Sequence, residues 1–100
     1  MAHKYTSIIN VGEAGLEYVD EYGEVRFVNF EACGERAAKH RQNPVARVYV
    51  GCRLINIDQR GDIHRTVEFF TSSPTIFEVE SDVQFQRLRF RIEQAGWRIT

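Results

Sequence analysis

Three histidines, two cysteines and fourteen carboxylates are the groups in this chain that could carry acid-base, nucleophilic or metal chemistry. Their spacing brings none of them into a recognisable set. His3, His40 and His64 never fall at the i, i+4 or short-loop separations that let imidazoles share a metal ion. Cys33 and Cys52 lack the C-x-x-C spacing of a zinc or redox site. They read as two reduced, buried thiols, one on a predicted helix and one inside a predicted strand. Asp20, Glu21 and Glu24, and again Asp58 and Asp62, surround two short turns, but without the D-x-[DN]-x-[DN]-G ladder and distal Glu of a calcium loop. Glu78 and Glu80 share a strand face, as carboxylates on any solvated strand do. Gly12-x-x-Gly15 lacks the Lys-Ser/Thr of a phosphate loop. The sequence thus assigns no catalytic residue, no metal ligand and no cofactor.

Two groups of residues point instead to binding. Arg47, Tyr49, Gly51 and Arg53 alternate along one strand and share a face, where a glycine between an aromatic ring and guanidinium groups would leave a shallow recess ringed by donors. With Arg65 as a neighbour, this face could hold an anion or a stacked base. The plainer reading is of long side chains lying over a solvated sheet.

The other group is on the last helix. At about 100° per residue, Phe85, Leu88, Ile92 and Ala95 make a docking stripe, while Val83 and Phe90 fall nearly opposite, with Arg87 and Gln94 beside them. Either the helix is sandwiched within the chain, or Val83, Arg87 and Phe90 meet a partner.

The elements that must position these residues are marked by local signals. Asp20-Glu21-Tyr22-Gly23-Glu24 and Asp58-Gln59-Arg60-Gly61-Asp62 repeat one device, an Asp able to cap the turn's own amides and a Gly where φ must be positive. Each predicts a hairpin, the first joining 16–19 to 25–30, the second joining 45–57 to 63–71. Helix one is expected over 30–42, capped by Asn29, with a thin inner face of Phe30, Cys33, Ala37 and Ala38, Lys39, His40 and Arg41 in its last turn, and Asn43-Pro44 as its stop. On the long strand, Ala46, Val48, Val50, Cys52 and Leu54 are the expected core face, and Ile55 with Ile57 breaks the alternation, which predicts a bulge or a second covered layer. A further strand runs from Thr75 to Glu80. Ser81 with Gln84 forms a capping box for helix two, Gly96 ends it, and Trp97 to Thr100 makes a last edge strand. Val48, Val50, Phe69, Phe77, Leu88 and Ile92 are the expected core.

The fold expected from these elements is α+β: an antiparallel sheet of five to six strands with two helices, built as two hairpin-plus-helix units in one domain spanning 1–100. Thirteen Lys and Arg against fourteen Asp and Glu give a net charge of −1, which argues against a surface devoted to phosphates or anionic lipid. No apolar stretch is long enough to span a bilayer, and the N-terminal residues lack a signal peptide's apolar core, so a cytoplasmic location is expected. The leading functional expectation is a non-catalytic protein-protein interaction module that self-associates as a homo-oligomer or docks on a larger protein. An anion- or nucleic-acid-binding domain using Arg47, Tyr49, Arg53 and Arg65 is the alternative.

Overall fold

The structure, a computed structural model, describes residues 2–35 and 46–100. The described residues form ten strands and one α-helix: β1 (His3–Lys4), β2 (Ile8–Val11), β3 (Gly15–Val19), β4 (Val25–Asn29), β5 (Gly34–Glu35), β6 (Ala46–Val48), β7 (Val50–Ile57), β8 (Ile63–Phe69), β9 (Thr75–Val79), α1 (Asp82–Gln94) and β10 (Trp97–Ile99). They make three sheets, ordered β1-β9-β8-β7, β10-β6-β5 and β2-β3-β4. This corrects the expectation of one antiparallel sheet of five to six strands with two helices. The protein is mostly sheet, and two of its pairings, β1 with β9 and β10 with β6, are parallel.

Both Asp-Gly turns form as expected. The Asp20 carboxylate accepts from the amides of Tyr22 and Glu24, each at 2.9 Å, and Asp58 accepts from Arg60 at 2.9 Å and Asp62 at 3.0 Å. Gly23 and Gly61 take φ of 78° and 85°, a region that a β-carbon would strain.

The expected first helix is replaced at its start by other structure. Asn29 does cap, its side-chain oxygen accepting from Glu31 N at 2.9 Å, but the turn it opens is a 3-10 turn over Phe30–Cys33. Gly34 then enters β5. A β-carbon there would lie 2.2 Å from Arg47 O and 2.7 Å from the Trp97 ring, so the glycine serves a backbone laid against β6 beneath the indole. Residues 36–42 of the expected helix, among them Ala37, Ala38, Lys39, His40 and Arg41, lie outside the described residues, as do Asn43 and Pro44.

The buried side chains form one cluster drawn from all three sheets and the helix, with Leu16, Phe30, Val48, Phe69, Phe77, Leu88, Ile92 and Trp97 at its centre. Phe30 stacks on Phe69 with ring centroids 6.1 Å apart and meets Trp97 edge-on at 5.7 Å. Trp97 Nε1 donates to Glu13 O at 2.7 Å, satisfying the polar atom of an otherwise enclosed ring. Five of the six expected core residues are fully enclosed, and Val50 is half-buried against the cluster.

The long strand departs from expectation. It is divided at Tyr49 into β6 and β7, which belong to different sheets, and Val45 lies outside the described residues. Cys52 and Leu54 are exposed, because the core reaches β7 only at Val50. The bulge predicted near Ile55 is present as a register shift between Leu54 and Asn56.

Candidate protein-interaction surface

Helix α1 is bounded by local chemistry. Ser81 Oγ accepts from Gln84 N at 3.2 Å, and the Gln84 side chain reaches back to accept from Glu80 N at 2.9 Å. Asp82 places a carboxylate in the first turn, favourable beside the positive end of the helix dipole. At the other end Gly96 takes φ of 98° and its amide donates to Glu93 O.

The helix docks through Leu88 and Ile92, both fully enclosed, with Phe85 and Ala95 packed against the same cluster. The opposite stripe is open to solvent: Val83 is 60% exposed and Phe90 61% exposed. They stand seven positions apart, a rise of about 10 Å, with Arg87 between. Together with Asp82, Gln86 and Glu93 they line a shallow apolar hollow on the outer side of α1. Among the described residues no element packs over this side of the helix.

The strand arginines do not gather. Arg47 stands on β6 in one sheet, and Arg53 on β7 in another. Cross-strand pairing sets Arg53 opposite Thr66 and Arg65 opposite Leu54, so Arg53 and Arg65 leave their sheet on opposite faces. Arg65 lies over the Phe85 ring, 5.3 Å from its centroid, and 3.8 Å from the Asp82 carboxylate, where it braces the helix start. Tyr49 donates its amide to Cys33 O at 2.7 Å, tying the divided strand to the 3-10 turn. The recess expected at Gly51 is taken by the Phe70 ring, which comes within 2.8 Å of where a β-carbon would stand.

Asp20, Asp58 and Cys33 are each shifted by their surroundings. Arg26 donates to Asp20 at 2.8 Å and holds that carboxyl below its ordinary range, and His64, 2.9 Å from Asp58, does the same at the second turn. Burial pushes the Cys33 thiol up, away from the reactive thiolate. Among the described residues no group of three His, Cys, Asp or Glu side chains is arranged to hold a metal ion. No helix among them is long and apolar enough to cross a membrane.

The sequence missed a second exposed apolar group. Leu54, Ile55 and Ile57 on β7 are all open to solvent. The break in alternation at Ile55 and Ile57 was its signal, but a covered layer and an uncovered one produce the same pattern.

Comparison with known protein families, curated proteins and solved structures returns no match. The functional reading therefore rests on this geometry.

Proposed function

We propose that this protein is a non-catalytic interaction module that docks on another protein through the outer stripe of α1, Val83, Arg87 and Phe90. The observation that carries the reading is the exposure of Phe90 and Val83 on one face of a helix whose opposite face already supplies its full share of core. Full burial of such side chains is worth roughly 1.5–3 kcal/mol apiece, and at this exposure more than half of it is still to be gained. Aromatic anchors flanked by arginine are the residue types that concentrate binding energy in interfaces. The matching surface is an apolar pocket that receives Phe90, with a carboxylate beside it to meet Arg87.

The test places a benzophenone photo-crosslinker at Gln86, exposed beside the stripe, and a control at Gln59 on the second turn. In cells that make the protein, the Gln86 position is expected to give one discrete adduct that disappears when Phe90→Glu is added. Adducts common to both positions, or unaffected by Phe90→Glu, would overturn the proposal.

A further inference from the structure

Among the described residues the four-stranded sheet has one long unpaired edge. Its order is β1-β9-β8-β7, and while β1 ends the sheet with two residues, β7 ends it with eight. Among the described residues β7 pairs with β8 alone, so alternate residues of β7 turn their N–H and C=O groups away from the sheet. Edge strands are ordinarily blunted by lysine, proline or a covering element, because an open edge templates another strand. Between Val50 and Ile57 the single charge is Arg53, and there is no proline. The bulge between Leu54 and Asn56 ends the regular stretch, which therefore runs from Val50 to Leu54 and is centred on Cys52.

We infer that β7 pairs with β7 of a second copy of this chain, antiparallel about a two-fold axis at Cys52, joining two four-stranded sheets into one of eight strands. A two-fold perpendicular to the sheet places a residue opposite itself at the centre, and Cys52 at the centre uses the whole unbulged stretch. Val50 then faces the second copy's Leu54 on one side of the sheet. This covers Leu54, which is 57% exposed in the single chain, with an apolar neighbour, twice per dimer.

On the other side, Gly51 faces the second copy's Arg53. Within one chain Gly51 is paired with Glu68, so each row across the dimer reads Glu68, Gly51, then the second copy's Arg53. That guanidinium reaches towards Glu68 over Gly51 once the tip of the Phe70 ring, which overhangs the glycine, swings aside, in the hollow these residues line. Arg53 and Glu68 form no ion pair among the described residues of the single chain. The sheet edge, β7 with Glu68 of β8 behind it, is thus complementary to itself in charge as well as in apolar side chains, which is what selects a second copy over an arbitrary strand.

This pairing is independent of the α1 surface, and the experiment separates the two. Sedimentation velocity over a concentration series is expected to show a reversible dimer for the parent. Arg53→Glu and Glu68→Arg each place like charges at both symmetric contacts and are expected to weaken it about tenfold. The combined Arg53→Glu/Glu68→Arg variant is expected to return to within about threefold of the parent, while Phe90→Glu leaves the dimer intact. Circular dichroism and melting of each variant confirm an unchanged fold. As a geometric check, a short bis-maleimide is expected to link Cys52 to Cys52 in the dimer, and not to link a Gln59→Cys position in a Cys52→Ser background. A parent that is monomeric at all concentrations, a dimer indifferent to both single charge reversals, or single reversals that the combined variant fails to rescue would each overturn the inference.

Discussion

Leu88 and Phe90 stand two residues apart on α1 and should respond oppositely to truncation. Leu88 is fully enclosed, and its removal takes side-chain atoms out of a cluster shared by all three sheets, leaving a cavity that strands cannot easily close. Leu88→Ala should therefore cost about 2–5 kcal/mol, against a total of about 5–15 kcal/mol for a domain of ordinary stability. At about 4–8 °C per kcal/mol for a chain of this size, the midpoint of thermal unfolding should fall by at least about 8 °C. Phe90, at 61% exposure, has little to lose. With well under half of its surface covered, Phe90→Ala should cost about 1 kcal/mol or less. Urea unfolding followed by circular dichroism reads both variants with the same slope if the unfolded surface is unchanged. A Leu88→Ala protein as stable as the parent, or a Phe90→Ala protein destabilised as much as Leu88→Ala, would refute the assignment of inner and outer faces on which the functional reading stands.

Other positions give sharper local tests. Gly15→Ala should be strongly destabilising, because a β-carbon there would lie 1.9 Å from the backbone oxygen of Val28, whereas Gly51→Ala should be mild, because the obstructing atom is the tip of the Phe70 ring, which can swing aside; unfolding midpoints of the two variants decide it. Ser81→Ala should remove about 0.5–2 kcal/mol by leaving the Gln84 amide without its cap, measurable by the same unfolding experiment. The carboxyls of Asp20 and Asp58 are both held below their ordinary 3.8, so the stability they contribute is present above that pH and lost as pH falls through their lower folded values. An acid titration of the unfolding midpoint should accordingly be flatter below pH 3.8 in Asp58→Asn than in the parent, and parallel curves would contradict the turn's electrostatics.

What could be read from the sequence was what short-range chemistry decides. The Asp and Gly of each turn, the Ser81 cap, the Gly96 stop and the division of α1 into two stripes all depend on residues within a few positions of one another. The 3-10 turn shows the limit of such signals: Asn29 caps as its type suggests, but the path of the backbone beyond Cys33 is set by β5 lying against β6 beneath Trp97, a contact between residues far apart in the chain. The two parallel pairings join segments far apart in the chain, His3 with Phe77 and Trp97 with Ala46, and leave no local trace. Alternation told which residues of the long strand share a face, but not where the core ends, so Cys52 and Leu54 were placed inside when they lie on an uncovered edge. For the same reason Arg53 and Arg65 could be drawn together on paper although the pairing of Arg53 with Thr66 puts them on opposite faces.

Whether the outer stripe of α1 docks a partner is measured by the affinity of the photo-crosslinked protein, once purified, for Phe90→Glu. A loss of at least about 2 kcal/mol is expected, roughly thirtyfold in Kd, as for a central anchor, with the circular dichroism spectrum and unfolding midpoint of the variant close to those of the parent. An unchanged Kd in a folded Phe90→Glu protein would mean that the stripe is not the docking surface.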